Sequence, residues 1–460
     1  MTPEEFPGGS PLVTDYYALT MLETYLRTGR TETAVFEFFV RPPLPKERRF
    51  LLAAGLGDAL EYLLALESHE DERAWLAGQG FHDRTLRRYL EGLRFTGNVD
   101  AVPEGTVVFP DEPLLRVTAP LPEAQMVEAR LINLLHYQTL VASKAARVHL
   151  AAGPETTLVD FGLRRAHGGE AGIMLARASY LAGFAGTASV HAARRYGLPL
   201  HGTMAHSFVL AYPSEEEAFL AYARTHPEGV TLLIDTYDER TAALTVARLR
   251  PRLAAEGVAI RAVRIDSGDL AEKAREVRAI LDAHGAASVR IFASGGIDEN
   301  TIAAFRRCGA PIDGYGIGTL LANSADVPYL NCAYKMVAYG AEPKRKFSTG
   351  KATWPGAKQV FRLRDEAGRI VADTIGLEHE NLPGERLLVP VVRRGERLTP
   401  EEPLEHLRAR VRTEIDALPP ELRRIEETPL AAPFPVHLSP GLRALASLLT
   451  PPSPSSVALP

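Results

Sequence analysis

VRIDSGDL (263–270) decides the fold: an alternating apolar run stops at Asp266, and a glycine turn then delivers Asp269 where a helix can start. The pattern recurs in LLIDTYD (232–238), IFASGGID (291–298) and DGYGIGTLL (313–321), each a β-type run closing on an acidic or glycine-rich turn. The stretches between are rich in Ala, Leu, Glu and Arg. Strand ends are expected near Asp160, His206, Asp235, Asp266, Ser294 and Gly316. Strands and helices alternating at this spacing predict βα units and a mostly parallel sheet, an α/β fold curled into a TIM-like barrel. Six strands fall short of eight, so the barrel is expected to be irregular and incomplete. Folds of this kind bind ligands where such strands end.

Working outward, the long helical stretch EAQMVEARLINLLHYQTLVASKAARVHLAA (123–152) precedes the βα rhythm. Before it, Thr14 can cap a helix that runs to Gly29, TAVFEFFV (33–40) alternates like a strand, and residues 46–92 repeat apolar positions at helical spacing. VDAVPEGTVVFPDEPLLRVTAPL (99–121) breaks into short β-type pieces. Residues 334–377 read as hairpins joined by Gly and Pro turns. The expected organisation is an N-terminal α+β domain (1–122) completed by a β-rich part (335–430), an α/β core (123–334), and a Pro/Ser-rich tail (431–460).

The chain has 460 residues, 46% hydrophobic and 24% charged, as in ordinary soluble proteins with a sizeable core. A net charge of −5 speaks against nucleic acid as the main partner. Two cysteines, Cys308 and Cys332, exclude a disulfide framework or a Cys-rich metal site. Neither a signal-type start nor a membrane-length apolar run is present, and the expected location is the cytoplasm, with no membrane partner.

His206 lies in GTMAHS (202–207), behind small residues that let backbone approach a ligand. It reads as an ordinary bonded histidine, or as a general base, a metal ligand or a phosphoryl acceptor. The metal reading lacks companions, since no HxH, HExxH or cysteine partner is near. Asp238 and Asp269 read as helix caps or as ligand-facing carboxylates. Asp235 and Asp266 end apolar runs, where burial requires a partner: a histidine, ribose hydroxyls or a Mg²⁺-bound diphosphate. Arg264, two residues before Asp266, points to the same side of a strand. Ser294, Gly295 and Gly296, and then Gly316, Gly318 and Thr319, form two turns whose free N–H groups suit a phosphate. DFGLRRAHGG (160–169) is either a solvated basic turn or an aromatic platform, Phe161, beside a guanidinium, Arg164. Lys144 and Arg147, three apart on a helix, reach phosphate or face solvent, and KRKFSTGK (344–351) is a basic loop.

Together TDYYALTM, FEFFVR, DFGLRRAHG, GTMAHSF, DTYD, RIDSGD, SGGID, YGIGT and STGKATWPGAKQVFR, in this order, resemble the nicotinate phosphoribosyltransferases over nearly the whole chain. The resemblance implies a type II phosphoribosyltransferase, a homodimer with shared sites, condensing nicotinate with phosphoribosyl diphosphate for NAD biosynthesis. It also implies Mg²⁺, and ATP as co-substrate. By that similarity His206 is phosphorylated by ATP, Asp235 orients it, and Asp266 and Arg264 contact the ribose region. Ser294, Gly295, Gly296, Gly316, Gly318 and Thr319 would hold the 5′-phosphate. Phe161 and Tyr17, the latter from a second subunit, would sandwich the pyridine ring. Arg164 would meet the carboxylate, and Arg41, Lys144 and Lys351 the diphosphate. In FAGTAS (184–189), Thr187 and Ala188 line the substrate region, and relatives that use nicotinamide place an aspartate at the position of Ala188. An aspartate would repel a carboxylate, so alanine favours nicotinate over the alternative, nicotinamide. Quinolinate phosphoribosyl transfer, another phosphate-binding barrel and a non-catalytic nucleotide-binding relative are the other readings weighed.

Overall fold

The strand TAVFEFFV forms at Thr33–Val40, and all but its first and third residues are buried. It lies inside a seven-stranded antiparallel sheet, paired along both edges, with Pro113–Pro120 on one side and Cys332–Tyr339 on the other. Glu37, at the centre of that strand, is fully buried and paired with Lys358 at 2.6 Å. The computed structural model describes residues 8–45, 48–348, 351–425 and 433–449. The end of the Pro/Ser-rich tail therefore lies outside the described residues.

The chain divides into two units, one of Met1–Leu140, Tyr329–Leu422 and Pro429–Pro460, the other of Val141–Pro328 with Arg423–Thr428. In the first, the order across the large sheet is Glu342–Pro343, Cys332–Tyr339, Thr33–Val40, Pro113–Pro120, Asn98–Ala101, Val389–Arg393, Glu396–Arg397. A four-stranded sheet holds the expected hairpin of Lys358–Arg364 with Ile370–Leu377. Three short helices occupy Leu56–Leu64, Glu70–Gly78 and Arg84–Glu91. The first helix is Tyr16–Thr28, closed by Gly29 in the left-handed conformation. Its N-cap is Asp15 rather than Thr14, because the Thr14 hydroxyl is turned away to donate to the Met126 carbonyl at 3.3 Å.

The second unit carries six parallel strands in the order Gly186–Thr187, Thr157–Asp160, Gly314–Ile317, Arg290–Ser294, Ile260–Ile265, Val230–Leu233. The sheet curls as half a barrel and does not close. Helices Glu239–Ala255, Leu270–Ala283 and Glu299–Arg307 follow three of the strands. Each starts on an aspartate, Asp238, Asp269 or Asp298, whose side chain accepts backbone N–H groups of the first turn. One expectation fails here: no strand ends at His206. GTMA has no alternating β-branched pattern to pair, and the only ladder contact nearby is a single bridge, Thr187 to Leu200. His206 instead opens a short helix, His206–Leu210, and the sixth strand is Gly186–Thr187.

The long helical stretch is also broken. Leu121–Met126 and Glu128–Ala152 are separate helices meeting at Val127.

Candidate active site

Three of the parallel strands deliver their last residues to one constellation. Asp235 follows Val230–Leu233, and its Oδ1 lies 3.2 Å from Nε2 of His206. Its Oδ2 accepts the Asp266 backbone N–H at 2.9 Å and the Ser267 hydroxyl at 2.8 Å. Asp266 in turn accepts from the Ser294 hydroxyl, so the ends of three strands are joined through carboxylates. The Asp235 side chain is 1% exposed while that of His206 is 40% exposed. A buried carboxylate accepting from Nε2–H assigns the proton to that nitrogen. The lone pair of Nδ1 is left toward solvent, with no other partner for the imidazole among the described residues.

Gly295 is the tightest position in the turn. Its φ is +95°, and a Cβ there would lie 2.2 Å from the Asp266 carbonyl oxygen. Gly296, φ +62°, faces open space. Ser294 is buried and Thr319 exposed. Gly316 is required for a different reason: a Cβ would meet the Phe161 ring at 2.3 Å. The ring thus abuts the strand end, with the Arg264 guanidinium 5.8 Å from its centroid. Arg264 also donates to the Thr203 hydroxyl, while its Nε is buried without a partner. Burial lowers its pKa, partly offset by Asp266 and Asp235. Arg164, in the turn Leu163–Arg165, is exposed and has no ion pair among the described residues.

Asp160 buttresses the opposite edge. Its carboxylate accepts from the Thr187 hydroxyl at 2.6 Å and the Gly162 N–H at 2.7 Å. Burial pushes its pKa up to about 6 against those two bonds. Its carbonyl accepts the Ala188 N–H at 2.9 Å, which holds the Ala188 side chain outward and exposed.

Lys144 does not face solvent. It is 1% exposed, with its ammonium 2.5 Å from Glu299 and 2.8 Å from Asp326. In the first unit, Tyr17 is 46% exposed, and its hydroxyl is pushed up to about 12 by burial and by the charge of Glu128. Arg41 approaches Asn331, with Nε buried and unpaired, and Lys351 is exposed. Within the basic loop, Lys344 pairs with Glu342 and Arg345 donates to the Thr353 and Ala446 carbonyls; Thr349 and Gly350 lie outside the described residues.

Three participants carried no signal. Thr203 and Ser267 are ordinary hydroxyls in sequence. Glu215 opens the helix Glu215–Thr225, and SEEE (214–217) does not say which carboxylate turns inward. Its Oε1 is buried without a partner. Burial and the charges of Asp238 and Asp235 raise its pKa to about 7. No group of three or more His, Cys, Asp or Glu side chains converges as a metal cage among the described residues. Both cysteines are free, and no helix is long and apolar enough to cross a membrane among those residues.

The arrangement pairs an oriented imidazole with a glycine turn whose N–H groups suit an anion, and with an aromatic ring beside the Arg264 guanidinium. Family models described as the nicotinate phosphoribosyltransferase (NAPRTase) N-terminal domain, the NAPRTase family and the nicotinate phosphoribosyltransferase C-terminal domain match residues 12–136, 156–351 and 383–446. Nicotinate phosphoribosyltransferase pncB2 of Mycobacterium tuberculosis H37Rv is 49% identical over 426 residues, 92% of this chain and 91% of that protein. The Bacillus subtilis nicotinate phosphoribosyltransferase is 39% identical, covering 82% of this chain and 78% of its own. The crystal structure of human nicotinic acid phosphoribosyltransferase superposes with a TM-score of 0.84 at 32% identity, covering 95% of this chain and 100% of that one.

Proposed function

We propose, since this chain belongs to the nicotinate phosphoribosyltransferase family, that it joins nicotinate to 5-phosphoribosyl 1-diphosphate in the cytoplasm and couples this step to ATP hydrolysis through His206. The observation that carries the coupling is the His206–Asp235 contact of 3.2 Å, with Asp235 fixed from behind by Asp266 and Ser267.

The ring nitrogen of nicotinate forms a bond to C1 of the ribose as the C1–O bond to diphosphate breaks, and diphosphate leaves with the electron pair. Positive charge develops on the ribose, so the site must hold the two reactants in line before that charge appears. Phe161 supplies a flat face for the pyridine ring, and Arg164, exposed and unpaired, meets its carboxylate. Ser294, Gly295 and Gly296, with the Gly316–Thr319 turn, offer N–H groups to the 5′-phosphate. The incomplete barrel is the part of the fold that gathers these strand ends. Mg²⁺ fits the surroundings of Asp266, one carboxylate oxygen of which is left for a ligand when Ser294 takes the other. When bound, the ion neutralises charge on the leaving diphosphate.

For the coupling, Nδ1 of His206 attacks the γ-phosphorus of ATP and ADP departs. Asp235 stabilises the imidazolium character that results, and water later cleaves the N–P bond to release phosphate. Ala188 keeps a carboxylate away from the substrate's own, which favours nicotinate over nicotinamide. Tyr17 and Tyr16, 46% and 73% exposed on one helix, fit a homodimer in which the second copy's Tyr17 covers the pyridine ring.

The test is product formation from phosphoribosyl diphosphate and Mg²⁺ with nicotinate or nicotinamide, each with and without ATP. Nicotinate mononucleotide, increased by ATP, is the expected result. Product from nicotinamide alone overturns the specificity reading, and no ATP effect overturns the coupling.

A further inference from the structure

Lys144 sits on the helix Glu128–Ala152. Its two carboxylate partners are placed in a telling way. Glu299 is the first residue of Glu299–Arg307, the helix entered through Ser294-Gly295-Gly296. Asp326 follows Thr319–Ala322, the short helix entered through Gly316-Ile317-Gly318. One ammonium therefore grips the element behind each of the two glycine turns, at 2.5 Å and 2.8 Å. Arg147, one turn further along the same helix, adds a 3.1 Å bond to the other oxygen of Glu299. The side chains of Lys144, Glu299, Arg147 and Asp326 are 1, 1, 7 and 14% exposed.

Two cations and two carboxylates balance in charge. A buried ion group of this kind adds little net stability over apolar packing, but it fixes distance and direction. The two strands ahead of the turns, Arg290–Ser294 and Gly314–Ile317, are neighbours in the sheet, so the ladder already sets their spacing at one end. Beyond the last ladder pair, Ser294 with Gly316, the sheet no longer holds the turns together. The Lys144 group supplies the missing tie on the far side.

We propose that Lys144, with Glu299 and Asp326, is a positioning device that holds the two phosphate-binding turns in register, and that Lys144 is not itself a ligand of the substrate. This rests on the reading above, in which both turns hold the 5′-phosphate of phosphoribosyl diphosphate. A phosphate gripped by N–H groups from two turns is sensitive to their separation, whereas the nicotinate shelf rests on one of them alone, through the Phe161 N–H to the Ile317 carbonyl at 2.8 Å.

The decisive variant is Asp326→Asn, which loosens the tie and leaves the Lys144 charge in place. Binding of ribose 5-phosphate, which has the 5′-phosphate but no diphosphate, is measured on the full chain by calorimetry, alongside steady-state kinetics. The expected result is a loss of about tenfold in ribose 5-phosphate affinity and a matching rise in KM for phosphoribosyl diphosphate, with kcat and the KM for nicotinate within about twofold. If Lys144 were a diphosphate ligand held in waiting, Asp326→Asn would free it. The KM for phosphoribosyl diphosphate would then fall or hold and ribose 5-phosphate binding would not change, which overturns the proposal. A uniform fall in kcat and in affinity for both substrates marks a merely structural role and overturns it too. Should Asp326→Asn fail to fold, the double variant Lys144→Met, Asp326→Asn, which keeps the Arg147–Glu299 pair, carries the same comparison without an unpaired buried charge. The wild-type arm separates the two layers: wild-type protein that binds neither phosphoribosyl diphosphate nor ribose 5-phosphate refutes the functional reading itself.

Discussion

His206 has one nitrogen held and one free, and the two ends of its ring have separate tests. His206→Ala should abolish radiolabel transfer from γ-labelled ATP to the protein and remove ATP stimulation, while circular dichroism stays that of the wild type. Persistent labelling would place the phosphoryl acceptor elsewhere. Ala188 is exposed, so Ala188→Asp should leave thermal stability unchanged and raise the KM for nicotinate by about tenfold or more through charge repulsion. Glu215 gives a pH signature. Its carboxyl titrates near 7 in the fold and near 4.5 when unfolded, so the fold binds that proton more tightly. Stability should fall as pH rises from about 4.5 through about 7, and Glu215→Gln should flatten that loss by about 1 kcal/mol, a figure reduced for its partial exposure to water. Denaturant titrations at pH 5 and pH 8 measure it. No difference between the two proteins would mean that Glu215 is solvated and ionised.

At the scale of elements, the strand–turn–helix unit carries the site, and Gly295 is its most constrained link. Gly295→Ala places a Cβ 2.2 Å from the Asp266 carbonyl at a φ of +95°, so the turn must shift. We expect a cost of about 2 kcal/mol in stability and a rise in KM for phosphoribosyl diphosphate larger than any change for nicotinate. Melting curves and kinetics on one preparation decide it. Such units were legible in sequence because each couples a period-2 apolar run to an aspartate cap, two local signals that agree. The strand expected before His206 was not there, since Leu198 to Met204 offers apolar residues without a partner ladder. Charges buried by partners far along the chain were equally hidden: nothing near Lys144 or within SEEE indicates that Glu299 stands beside the one or that Asp235 acts on the other.

At the scale of the whole molecule, a unit built from both ends of the chain surrounds, in sequence, a unit that is nearly continuous. The proposed sharing of Tyr17 between copies belongs here. Mixing inactive Tyr17→Ala and His206→Ala proteins under conditions of subunit exchange should restore part of the activity, because some mixed dimers contain one intact site. No recovery despite exchange counts against a shared site.

The seven-stranded sheet has a consequence for how the protein is made. Thr33–Val40 can find Pro113–Pro120 early in translation, yet its other edge is closed only by Cys332–Tyr339. While the ribosome is still producing the inserted unit, the nascent chain carries VFEFFV with a bare row of N–H and C=O groups, a template for pairing with any neighbouring polypeptide. Chains arrested before residue 332 should crosslink to holdase chaperones through residues 33–40, and chains released after the last strand should not.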